Sequence, residues 1–152
     1  MALGKAAGSA ALLALLLCAA ARAQQEPVCA TTLAGLRTLL NEPQFALNWR
    51  ETSMDDGKPL LVSIQEREGA LSLEFVKTGE GLWAQSSGAL CRTDKGLEIR
   101  FSAQQIKLGP AANWMLRLAL GNGGKFTLTR PAPTRLHIAT TGWSGLFAAQ
   151  PL

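Results

Sequence analysis

The chain predicts a β-dominated domain: an antiparallel up-and-down meander curled into a barrel or half-barrel, with one N-terminal amphipathic helix packed on it. Three observations carry this. Apolar residues alternate with polar ones along most of the chain after residue 59. Gly-containing turn dipeptides separate those runs, and a single segment before them follows a helical period instead.

The first residues stand apart from the fold. Lys5 supplies a positive start, Ala10 to Ala21 form an Ala/Leu run of about twelve residues, and Ala21-Arg22-Ala23 is a small-x-small cleavage site. Residues 1–23 therefore read as a signal peptide cut between Ala23 and Gln24, leaving residues 24–152 as one domain. The apolar run is shorter than the roughly 20 residues a membrane helix needs, and no later stretch is longer, so no transmembrane segment is expected. A lipidated Cys18 is the competing reading, but Leu17 occupies the place where a lipobox has a small residue. Cleavage removes Cys18 and leaves Cys29 and Cys91. Two cysteines in an exported chain are expected to pair, because the compartment is oxidising. A short Ala-rich signal and the lack of any Asn-x-Ser/Thr sequon favour a periplasm, with secretion as the alternative.

After Cys29, Leu33, Leu36, Leu39 and Leu40 lie on one stripe of a helix that Thr31 or Thr32 can cap and Pro43 stops. Strands follow. Leu60, Val62 and Ile64 alternate with Ser63 and Gln65, and Leu71, Leu73 and Phe75 with Ser72 and Glu74. Leu97, Ile99 and Phe101 alternate with Glu98 and Arg100. Trp114, Leu116, Leu118 and Leu120 surround Arg117, Phe126 and Leu128 oppose Lys125 and Thr127, and Leu136 and Ile138 oppose Arg135 and His137. Such alternation describes sheets with one dry and one wet face. Asp55-Asp56-Gly57, Glu68-Gly69, Thr78-Gly79-Glu80-Gly81, Asp94-Lys95-Gly96, Asn122-Gly123 and Thr141-Gly142 supply the tight turns. Eight to ten strands joined by short loops should curl, since a flat meander leaves long edges and a bare apolar face.

Charge is unevenly spread. The chain carries 15 Lys/Arg against 11 Asp/Glu, yet every acid lies at or before Glu98. From Ile99 onward Arg100, Lys107, Arg117, Lys125, Arg130 and Arg135 face no acid in sequence. Of these, Arg117, Lys125, Arg130 and Arg135, with His137, fall on the wet faces of successive strands and form a candidate anion-binding patch. Lipid phosphates are its natural counter-charge in an envelope compartment. Nucleic acid would need stacking aromatics on the same face, and none is expected there.

Catalytic and metal chemistry find little to work with. His137 is the one histidine, which gives no converging ligand set for zinc or copper, and Met54 and Met115 are too few for a methionine copper site. Gly142-Trp143-Ser144-Gly145 only echoes a nucleophile elbow, and turn chemistry accounts for Asp55-Asp56 and for Glu66 and Glu68. No Gly-rich loop opens onto a helix to cradle nucleotide phosphates. No cofactor, metal or catalytic residue is expected, so the chain does not read as an enzyme.

Two readings of function remain. In the first, the barrel is a container for a hydrophobic or amphipathic anionic ligand. Trp114, Leu116, Leu118, Phe126 and Phe101 then line its lumen and the basic patch meets the head group. In the second, the core is filled, and the protein binds another envelope macromolecule through loops or its basic face, as an enzyme inhibitor or assembly accessory would.

Overall fold

Alternating runs long enough to pair, with turns too short to let neighbours separate, build one curled antiparallel sheet in the computed structural model, which describes residues 26–53, 57–102 and 104–151. The expected signal segment and its cleavage site at Ala23–Gln24 lie outside the described residues, as do Asp55 and Asp56. Eleven strands contribute: β1 (Cys29–Ala30), β2 (Asn48–Glu51), β3 (Leu60–Arg67), β4 (Ala70–Lys77), β5 (Gly81–Gly88), β6 (Leu90–Thr93), β7 (Gly96–Phe101), β8 (Ile106–Leu108), β9 (Gly124–Ala132), β10 (Arg135–Thr140) and β11 (Trp143–Ala149). Two helices accompany them, α1 (Leu33–Leu40) and α2 (Trp114–Leu120).

The sheet order is β1-β6-β7-β9-β10-β11-β2-β3-β4-β5-β8. Two meanders, β2 to β5 and β9 to β11, are joined side by side where β11 pairs with β2. The sheet is not closed by a hydrogen-bonded ladder. It nevertheless rolls until Gly88 of β5 faces β7 so closely that a side-chain carbon there would stand 2.8 Å from the Arg100 carbonyl oxygen. This seam is where the chain passes from β5 to β6 and from β7 back to β8, so the long steps in sheet order are short steps in space.

The inward faces carry the leucines, isoleucines and aromatics anticipated for them. Phe75 of β4 stacks with Phe126 of β9 across the interior at 4.9 Å between ring centroids, and Phe126 with Phe101 of β7 at 5.2 Å. Phe75 also meets Trp83 at 5.5 Å, Trp83 meets Trp143 at 5.0 Å, and Trp143 meets Phe147. Rings from five strands thus form a continuous cluster through the middle of the roll, and Phe75, Phe126 and Phe147 are wholly buried.

Each helix covers one end. Thr32 Oγ1 accepts from the Gly35 N–H at the start of α1, and the Glu66 carboxylate from β3 accepts from Leu33 N at 2.9 Å, so a negative charge sits at the positive end of the helix dipole. Asn41 ends the helix in the left-handed conformation, two residues before Pro43. Arg92 of β6 donates to the Leu39 carbonyl, and Arg130 of β9 pairs with Glu42 just beyond the helix. The helix is thus held from β3 on one side and from β6 and β9, which flank β7, on the other, as an element lying across the mouth of the roll would be. The Cys29–Cys91 disulfide then fastens β1, directly before α1, to its partner residue on β6.

The second helix departs from the sequence expectation. Trp114 to Leu120 is helical rather than a strand, with Asn113 Oδ1 capping it through Leu116 N at 2.8 Å. Leu116 and Leu120, four residues apart, turn into the core, while Trp114 and Leu118, also four apart, turn outward. A period of two and a spacing of four coincide at these positions, so the alternation was compatible with both structures. The residues themselves, Trp, Met, Leu, Arg, Leu, Ala and Leu, include no β-branched side chain to favour a strand. Geometry decides the matter. After β8 has paired with β5 the chain must cross the open end to begin β9 beside β7. A seven-residue helix spans about 10 Å, whereas a strand of equal length spans about 23 Å.

Candidate functional site

Because α2 is apolar all round, burying one side leaves the other without cover. At roughly 100° per residue, Leu116 and Leu120 occupy the core-facing arc, and Trp114, Leu118 and Met115 occupy the opposite one with Arg117 at its flank. Trp114 is 73% exposed, Leu118 77% and Met115 57%. Three large apolar side chains on two turns of one helix, all in water, are the strongest departure from ordinary surface composition in the fold. Arg117 does not reach outward to an acid. Its guanidinium donates to the carbonyls of Gly109 at 2.6 Å and Ala112 at 3.3 Å, which pins the loop before the helix. That loop is fixed by close approach as well, because a β-carbon on Gly109 would collide with the Leu82 carbonyl oxygen.

Beside the exposed face lies a pocket of about 130 Å³. Met115, Leu116 and Ala119 form one wall, and Trp83, Trp143 and the Thr141–Gly142 turn form the other. We call this pocket and the exposed face of α2 the crown. Its lining is mostly apolar, and its volume suits a single side chain or the end of an acyl chain, well below the 300–1,000 Å³ of typical small-molecule sites.

The residues expected to line a lumen divide. Phe101, Leu116 and Phe126 are buried as anticipated, Phe126 packing between Phe101 and Phe75, and Leu116 lying beside Trp83 and Trp143. Trp114 and Leu118 are corrected: they point into solvent, because the segment that carries them is helical.

The expected basic patch does not form one surface either. Arg117 belongs to α2, not to the wet face of a strand. Arg130 is half-buried between Glu42 and the Phe45 ring, whose centroid is 5.2 Å from the guanidinium carbon, and it also donates to the Pro133 carbonyl. Lys125 of β9 donates to Glu98 at 3.2 Å, and Arg100 pairs with the same carboxylate. The Arg100 guanidinium, and after it Lys125, hold the Glu98 carboxyl below the usual carboxylate range, against the opposing effect of its burial. Arg135 and His137 do share the outer face of β10, where His137 Nδ1 lies 3.5 Å from Thr129 Oγ1. Arg50 joins them two strands away, because Ala148 of β11 pairs with both Arg135 and Arg50.

Trp83, Trp143 and Met115 were visible in the sequence only as isolated large residues. A signal for the crown was nonetheless present: Asn113 as a cap, six strong helix formers from Met115 to Leu120, and Gly121 after them. No helix among the described residues is long and apolar enough to cross a membrane. Compared with known proteins, the chain matches no family model, no curated sequence and no solved structure.

Proposed function

We propose that the protein is an exported binding protein that docks on a partner surface through the crown, with the curled sheet serving as a filled scaffold. The observation that carries this reading is the pairing of a ring-packed interior with three solvated apolar side chains on α2. The container reading relied on Trp114, Leu116, Leu118, Phe126 and Phe101 for a lumen; Trp114 and Leu118 are in solvent, and Phe101 and Phe126 pack ring to ring. The adjoining pocket also suits an anchoring group better than a whole ligand. A disulfide between Cys29 and Cys91 supports an oxidising address, and with the expected signal we place the protein in the periplasm, secretion being the alternative.

A photo-activatable cross-linking residue at position 118 tests the reading in cells that export the protein. Position 135, exposed on β10 at the opposite end of the roll, serves as the reference. Capture of a protein or lipid adduct at 118 well above that at 135 is expected. Equal capture at the two sites, or capture at 135 alone, overturns docking through the crown.

A further inference from the structure

We infer that the surface met by the crown is an anionic phospholipid bilayer, an assignment that rests on the docking reading above. Area gives the first argument. Together the solvated parts of Trp114, Met115 and Leu118 amount to on the order of 400 Å², about half of what one partner contributes to a standard protein interface. A bilayer asks for less: a few apolar anchors set to headgroup depth, supported by cations nearby. Exposure agrees, since Trp114 and Leu118 are about three-quarters in water while Met115 also borders the adjoining pocket. With seven residues, α2 is about 10 Å long and can lie in an interface but not span one.

The kind of residue matters as much as the amount. Tryptophan has an apolar body and one polar N–H, which is why it concentrates at membrane–water boundaries. The Trp114 N–H has no protein acceptor among the described residues, whereas the buried Trp49 gives its own to the Ala46 carbonyl at 2.9 Å. Charge completes the case. No acid occurs anywhere after Glu98 in the chain, so α2 and the strands that follow it bring none to the surface. Arg117 flanks the apolar arc with no carboxylate partner among the described residues, its guanidinium donating to the Gly109 and Ala112 carbonyls. Lys125, just past the helix, and Arg100 share one glutamate between them and leave a net positive charge. A negatively charged leaflet complements this rim, while a zwitterionic one offers it nothing.

Flotation of the processed full chain with lipid vesicles tests the assignment, using phosphatidylglycerol and phosphatidylethanolamine at one to three against phosphatidylcholine alone. Binding to the anionic vesicles is expected, with a blue shift of tryptophan emission that Trp114→Phe removes. Partition onto phosphatidylcholine should be at least about tenfold weaker, and raising salt from roughly 50 to 500 mM should weaken anionic binding by about tenfold. The double variant Trp114→Ser with Leu118→Ser keeps the fold, since both side chains are solvated, and should lower partition by roughly a hundredfold. Equal binding to both vesicle types, or a double variant that binds like the parent, overturns the inference. If no vesicle binds while position 118 cross-links to a protein, the bilayer assignment falls and docking through the crown stands. If neither occurs, both fall.

Discussion

Replacing Phe75 by alanine separates a filled interior from a hollow one. Phe75 is wholly buried and its ring touches Phe126, Trp83 and Trp143 from three other strands. Truncation removes a phenyl ring whose transfer from water is worth about 2–3 kcal/mol. It also leaves a void of up to about 100 Å³, adding about 2.4 kcal/mol at roughly 24 cal/mol per Å³ if nothing relaxes. Partial collapse of the neighbouring rings reduces the sum, so a loss of about 3–5 kcal/mol is expected. At the scale of a domain this size, that lowers the melting temperature by roughly 10–20 °C. Urea unfolding followed by tryptophan emission and by circular dichroism gives the free energy, with Leu118→Ala as the reference. Leu118 is 77% exposed and should change stability by no more than about 0.5 kcal/mol. If Phe75→Ala costs less than about 1 kcal/mol, the rings do not depend on one another and the filled-core argument fails.

Three further outcomes follow from local geometry. The disulfide links residues 62 apart in sequence, so replacing Cys29 and Cys91 by serine should destabilise the fold by about 4 kcal/mol on the chain-entropy view. Thermal melts with and without reductant check this, and a parent indifferent to reduction would contradict it. Glu98 has a lowered pKa when folded, so it contributes stability above the ordinary glutamate value of 4.5 and loses it as pH falls through the lowered value. The difference in stability between parent and Glu98→Gln should therefore hold steady above about pH 5 and shrink below it; denaturant titrations across pH 2–7 read it, and a difference that grows on acidification would be the wrong sign. Glu68 stands at φ 51° in the β3–β4 turn, a conformation that disfavours side chains other than Asn or Gly. Glu68→Gly should raise stability by about 0.5–1 kcal/mol, measured by urea midpoint, and a decrease would mean the glutamate has a compensating contact.

The wall material was legible in order along the chain. Leu60 to Arg67, Ala70 to Lys77 and Arg135 to Thr140 could be read as strands because each alternation is anchored by a turn whose backbone only a few residues tolerate, such as Glu68-Gly69 or Thr141-Gly142. The Cys29–Cys91 disulfide matches the pairing expected if an export signal takes Cys18 away. The candidate site was far less legible. Trp114 and Leu118 had been placed inside, and Arg117, Lys125 and Arg130 on one outer face. The placement of Trp114, Leu118 and Arg117 assumed a strand where the chain forms α2, while Lys125 and Arg130, on β9 as expected, are drawn to Glu98 and Glu42.

What the amino-acid sequence determined by itself is the set of properties carried by near neighbours. These are which face is dry in β3, β4, β7, β9 and β10, where the chain turns, that a helix starts after Thr31 or Thr32, and that acids are absent beyond Glu98. Local sterics and hydrogen bonding specify these without reference to the rest of the molecule. Tertiary structure decided what depends on distant elements meeting. It set the roll that brings Phe75 against Phe126, the crossing from β8 to β9 that makes Trp114 to Leu120 a helix, and the capture of individual arginines by Glu42, Glu98 and backbone carbonyls. Period-two and period-four spacing are equally satisfied over seven residues, and the helix goes with the Asn113 cap, the lack of β-branched residues and the crossing from β8 to β9. That choice turns Trp114, Met115 and Leu118 outward and makes the crown.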